Sequence, residues 1–269
     1  MAAHEYLMEN EEEIKRLEIK TDEADVKRQA LWAGIEPGMC VADIGCGSGK
    51  TTRILHTLVQ PGGKAEGLDI SETRVAYARD HYGSAGLEFR QLDIKQSLEG
   101  ISGYDFVWVR FVLEYFKEDC FDIVRNISNI VKPGGILCLI DLDANSLNHY
   151  PLSDRLKRTL HDIAGQVESK MNFDFYAGSK LYSHLYRLGY QDIAVDVRAH
   201  HLIHGELKDR DAFNWLKKIE VVSQKLGFDF NEYPGGYDEC VQEFTKFFED
   251  PGRFTYTPII SISGRRPLH

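Results

Sequence analysis

No apolar run in this sequence approaches the roughly 20 residues that cross a bilayer, so no membrane partner is expected. Cys-x-x-Cys pairs are also missing. The five cysteines, Cys40, Cys46, Cys120, Cys138 and Cys240, are scattered and odd in number. They read as reduced thiols of a cytoplasmic protein, not as a disulfide framework. Positive charge is short: 32 Lys and Arg stand against 42 Asp and Glu, a net charge of -10. A chain so acidic lacks the footprint that phosphate backbones require, which argues against nucleic acid. Beyond Arg265 and Arg266 no basic cluster stands out. The first thirty residues are rich in Glu and Lys, unlike a secretory leader. No internal repeat or low-complexity linker interrupts the chain.

What is present suffices for a core, since 43% of 269 residues are hydrophobic. Two short helices are predicted over 5–35, with Leu7, Ile14 and Leu17 on one face and Val26, Ala30 and Leu31 on the next. From "CVADIG" (40–45) the pattern alternates: helix 50–59, strand 64–70, helix 71–82 capped by Ser71, strand 87–94, strand 104–111, helix 118–131 stopped by Pro133-Gly134-Gly135, strand 136–142. That rhythm predicts parallel βαβ units, hence an α/β doubly wound sheet that binds ligands at the carboxyl ends of its strands. Helices near 152–167, 178–188, 209–226 and 237–249 surround a long strand at 191–203, and "FTYTPIISISGRR" closes the chain as an alternating strand. The predicted organisation is an N-terminal helical cap (1–36) and one domain (37–269) with helical insertions at about 144–180 and 205–250.

Chemistry gathers at "VADIGCGSGK", where Gly45, Gly47 and Gly49 put bare backbone directly behind a strand. The spacing is one residue short of a Gly-x-Gly-x-x-Gly dinucleotide turn. It also fails as a phosphate loop, because Ile44 stands where the upstream glycine would be. Asp43 precedes the turn, Asp69 ends the second strand about 20 residues on, and Asp93 ends the third. A strand-end carboxylate can accept from ribose hydroxyls or from an exocyclic amine; taken singly, each could equally be a turn or helix-cap acid. In register with a glycine turn, three such acids favour a nucleoside ligand that carries an amino group.

From Val41 to Leu142 these segments resemble the class I S-adenosylmethionine-dependent methyltransferase family. "VADIGCGSG", "LDIS", "QLDI", "YDFVWVRFVLEYF" and "VKPGGILCLIDLD" carry the likeness. The resemblance implies a Rossmann-like, seven-stranded mostly parallel sheet, ordered 3-2-1-4-5-7-6 with the last strand antiparallel. It implies that Asp43, Gly45, Gly47 and Gly49 cradle the methionine portion of S-adenosyl-L-methionine. Asp69 and Ile70 would hold the ribose end, Asp93 and the Ile94 amide the adenine, and Arg110 would lie beside the methionine.

Methyl transfer from a sulfonium is an in-line displacement that needs alignment and exclusion of water, and an acceptor proton must leave. Candidates for the substrate pocket are Tyr6, Glu114, Tyr115, Asp141, Asp143, His149 and Tyr150, each of which could simply shape the rim. No catalytic base is singled out. His200, His201 and His204 cannot converge on a metal from a straight strand, and no metal is expected. Added helices forming a lid and the acidic charge suggest a small neutral or cationic metabolite as the acceptor; a homodimer is compatible with all of this. Open alternatives are aminopropyl, carboxymethyl or decarboxylative use of a similar ligand, a nicotinamide-dependent reaction, and non-catalytic cofactor binding.

Overall fold

The computed structural model describes residues 11–208 and 225–268. Tyr6 and residues 209–224 of the helix expected at 209–226 lie outside the described residues. The chain begins with α1 (Glu11–Lys20) and α2 (Glu23–Ala33). They break at Asp22, whose carboxylate accepts from the Ala24 and Asp25 amides as an N-cap. Then follow β1 (Cys40–Ile44), α3 (Lys50–Leu58), β2 (Lys64–Asp69), α4 (Glu72–Tyr82), β3 (Leu87–Gln91), β4 (Tyr104–Arg110), α5 (Cys120–Ser128) and β5 (Val131–Leu142). The remainder is β6 (His149–Tyr150), α6 (Asp154–Met171), α7 (Ala177–Arg187), β7 (Gln191–His204), α8 (Gly236–Glu249) and β8 (Phe254–Arg265). Ser71 caps α4 as read, accepting from the Arg74 amide at 3.4 Å.

The strands form one sheet in the order β3-β2-β1-β4-β5-β8, with β7 on the far side of β8. β1 to β5 pair in parallel, and β8 runs antiparallel to β5 and β7. Two-residue β6 pairs with the start of β8, an eighth strand that sequence periodicity cannot register because it is so short. The expected order is therefore present with this one addition. Near-continuous apolar runs such as Phe106–Val109 and Ile136–Ile140 fill the central strands because helices cover both of their faces. On one face α2, α3 and α4 pack Val26, Leu55 and Val75 against Val41 and Trp108. On the other, α5 and α7 pack Val124, Ile127 and Leu181 against Ile44 and Leu139. A third core joins α6 and α8 through Leu156, Ile163, Phe244 and Phe248.

Three sequence expectations change. The fifth strand starts at Val131, five residues early, and its register slips opposite β4 between Tyr104 and Phe106. Consequently α5 ends at Ser128, before the Pro-Gly-Gly segment, which the strand incorporates. Leu31 is 58% exposed and Gln29 is buried in its place. The face of α2 is decided by a polar contact with β4, and apolar periodicity is blind to that.

Candidate active site

The carboxyl ends of β1, β2, β4 and β5 emerge along one edge, and the glycine turn crosses it. Gly45, Gly47 and Gly49 have φ of 71°, 55° and 87°, the left-handed region that suits glycine. Their bare faces look at the protein itself. A Cβ at Gly45 would sit 2.4 Å from Val112 Cγ2, and one at Gly49 2.7 Å from Ala78 Cβ. At Gly47 the neighbour is Leu17 Cδ1 of α1, at 3.0 Å. The cap lies directly over the turn, tied there by Lys50 Nζ donating to the Glu18 carbonyl (2.5 Å) and by Tyr82 Oη donating to the Glu18 carboxylate (2.7 Å).

Asp69 is 5% exposed and organises the turn. Its Oδ2 accepts from the Gly47 amide at 2.9 Å; its Oδ1 accepts from the Ser71 amide at 2.9 Å and from the Arg74 guanidinium at 2.9 and 3.1 Å. Arg74, in the first turn of α4, has no motif to announce it and was missed in the sequence. Ile70 follows with 56% of its surface open, an apolar side chain presented beside a carboxylate. Asp93 is half-buried in the turn after β3, where it accepts from the Lys95 amide at 2.9 Å; Ile94 turns its side chain into the core. Asp43 faces inward, under the turn, and accepts from Thr52 Oγ1 at 2.7 Å. Burial, reinforced by the nearby Asp69 charge, pushes its carboxyl up to about 7.

Arg110 ends β4 and reaches the α2 side of the sheet. Its Nε donates to Gln29 Oε1 at 3.2 Å, and Phe111 lays its ring 4.1 Å from the guanidinium carbon. Phe111 does so with φ of 59°, a strained value for an aromatic residue, held by the hydrogen bond its amide donates to the Ile140 carbonyl. Burial pulls the guanidinium down to about 10, against the opposing pull of Asp25 and Asp43. No carboxylate lies within ion-pair distance of it among the described residues.

The rim candidates divide. Asp141 has no exposed surface; it accepts from the Glu114 and Leu142 amides, and burial pushes it up to about 7. It shapes the turn after β4 from inside and does not face a substrate. Glu114, also buried, accepts from Asn145 Nδ2 at 3.2 Å, and Asp143 accepts from the Ser179 amide at 3.0 Å at the start of α7. Tyr115 stacks edge-on against Phe173. His149 is engaged by Thr255 Oγ1 and the Ser146 carbonyl and is ringed by Phe244, Phe247 and Phe248. Tyr150 projects outward, 73% exposed. Among the described residues, no group of three or more His, Cys, Asp and Glu could hold a metal ion.

Residues 42–139 match the family model of a methyltransferase domain. Juvenile hormone acid O-methyltransferase of Bombyx mori is 33% identical over 124 residues, 45% of this chain and 42% of that protein. Ubiquinone biosynthesis O-methyltransferase of Pseudomonas paraeruginosa is 31% identical over 111 residues, 40% and 46%. The chain thus spans less than half the length of these curated relatives. In fold, it resembles Haemonchus contortus phosphoethanolamine N-methyltransferase 2 in complex with S-adenosyl-L-methionine, with a TM-score of 0.56 at 17% identity, covering 91% of this chain and 52% of that one. The model of a methyltransferase domain thus lies over β1 to β5, and the strand order is the one expected for the class I S-adenosylmethionine-dependent methyltransferases, which this chain resembles in fold.

Proposed function

We propose that this chain transfers the methyl group of S-adenosyl-L-methionine to a small molecule. The observation that carries the reading is convergence on one sheet edge: a left-handed glycine turn, Asp69 bonded to that turn, exposed Ile70, and Asp93 in the turn after the next strand. The residues fit the cofactor on their chemistry. Ile70 offers an apolar face to a purine, Asp93 an acceptor to its amine, and Arg110 a cation near the methionine end. At Asp69 the fit carries a condition. Arg74 saturates Oδ1, so a ribose hydroxyl must donate to Oδ2 or displace the guanidinium.

The cofactor supplies an activated methyl group, which leaves the protein to align the acceptor and keep water out. Leu17 of α1 covers the turn, and the α6–α8 core packs on Tyr115 after β4 and Ile203 of β7, which supports a lid. With Asp141 sealed and Glu114 and His149 engaged, alignment is given more of the work than a general base. The scattered free cysteines and the net charge of -10 support a cytoplasmic setting without nucleic acid.

Calorimetry with S-adenosylhomocysteine tests the reading: saturable binding is expected, and an absence of heat would overturn it. Incubation with a metabolite pool and S-adenosyl-L-methionine labelled in its methyl group should move the label into an acceptor. Binding without turnover would indicate a cofactor-sensing protein, and transfer of another fragment a different reaction.

A further inference from the structure

A cavity of about 420 Å³ opens beside Arg110, lined by Asp25, Arg28 and Gln29 of α2, Arg198 and His200 of β7, and Ile259 of β8 among others. No residue of the glycine turn, of β2 or of the turn after β3 lines it. It begins at the end of β4 and runs away from the adenosine side, across β5 and β8 to β7. At about 4.8 Å per strand that is some 14 Å of sheet.

The charges around it do not balance. Asp25 pairs with Arg28 at 3.0 Å, and Asp196 takes both Arg198 at 2.9 Å and Arg28 at 3.4 Å. Arg28 and Arg198 thus take both of these carboxylates, and among the described residues Arg110 makes no ion pair; it donates to the Gln29 amide oxygen and lies over the Phe111 ring. A partly buried cation with no carboxylate at ion-pair distance favours an anion placed beside it. The site around it is also built. Gln29 is 2% exposed and fixes Nε, while Phe111 backs the guanidinium plane and meets His200 edge-on at 5.2 Å. His200 reaches Phe111 because β7 slips register against β8 between Ala199 and His201, the kind of irregularity that re-aims a side chain.

We infer that this cavity seats an oxyanion group of the methyl acceptor, with Arg110 as its principal partner and Arg28 and Arg198 at its mouth. The inference rests on the methyl-transfer reading and names its substrate class: a small molecule carrying a carboxylate or a phosphate. It reverses the neutral or cationic acceptor expected from overall charge, because local cations and not the net count decide what a cleft attracts.

The test uses the full chain at constant ionic strength, first titrated with S-adenosylhomocysteine, then with phenylacetate, phenyl phosphate and the neutral phenylacetamide. At least one anion should bind about tenfold more tightly than the amide in the presence of S-adenosylhomocysteine, as charge-assisted hydrogen bonds require. The better of the two identifies carboxylate or phosphate. Arg110→Gln should erase that preference, and Arg198→Gln should weaken it several-fold without changing S-adenosylhomocysteine affinity. Arg198 is half-exposed, so its variant decides the matter if the Arg110 variant fails to fold.

Equal binding of anion and amide would overturn the inference, and so would an anion affinity indifferent to Arg198→Gln. Loss of anion binding once S-adenosylhomocysteine is present would also overturn it, because Arg110 would then serve the cofactor's own carboxylate. Failure of S-adenosylhomocysteine to bind at all would instead sink the parent reading, and the first titration reports that separately.

Discussion

Asp69 carries two loads, and a substitution there should separate them. Asp69→Ala removes the carboxylate that the nearly buried Arg74 guanidinium and the Gly47 amide share, and losing one partner of a buried pair costs about 3–5 kcal/mol. Urea unfolding should show that loss. Asp69→Asn keeps the shape and removes the charge, so S-adenosylhomocysteine affinity, read by calorimetry, should fall at least several-fold while most of the fold survives. Equal affinity would contradict the ribose assignment. Asp43 offers a pH test. Its carboxyl is raised to about 7 in the folded chain, so the native state keeps a proton that the unfolded chain releases near 4. Stability from this group is present at low pH and is lost as pH climbs from about 4 through 7. Asp43→Asn should therefore flatten the urea midpoint between pH 5 and 7.5, leaving the similar contribution of Asp141.

The strand-to-helix turn shows what a motif discloses at the scale of an element. Glycine spacing announces a special backbone, and all three glycines do have positive φ. Spacing is silent on what the bare face meets, and at Gly49 that is Ala78 and Phe89, contacts made only after α4 and β3 fold back. Gly62 supplies the control: its φ of 85° nearly equals the 87° of Gly49, yet no atom lies within 4 Å of an added Cβ. Gly62→Ala should cost only the left-handed backbone penalty, about 1–2 kcal/mol. Gly49→Ala should cost about 1–3 kcal/mol more for overpacking. Similar unfolding midpoints for the two variants would refute this account of the turn. The same limit explains α2 and β5. Gln29 is buried because Arg110 needs it, and Val131 joins a strand because Tyr104 pairs with it.

Among the described residues, two cores lie against the faces of the sheet and a third meets it only through Ile203 of β7. Phe248 is fully buried in the third, among Phe244, Phe247 and His149. Phe248→Ala should cost about 3–5 kcal/mol locally. Hydrogen exchange should then speed up across α6 and α8 while β1, β4 and β5 stay protected, because separate clusters open separately. Uniform loss of protection would mean the additions are integral to the sheet domain.

Hydrophobic periodicity was enough to determine the alternating strands and helices of a parallel sheet, because it is a local signal that survives without coordinates; the strand order followed only from resemblance to a known family. The sequence pointed to three strand-end acids beside the glycine turn as candidates, though not to what each one does. Only the tertiary structure decided that Asp141 and Asp43 face inward, that Arg74 already holds Asp69, and that Arg110 looks into a cavity walled by α2 and β7. Those outcomes depend on residues 5 to more than 80 positions apart meeting through packing, and a charge finds or lacks its partner only once the chain has closed around it.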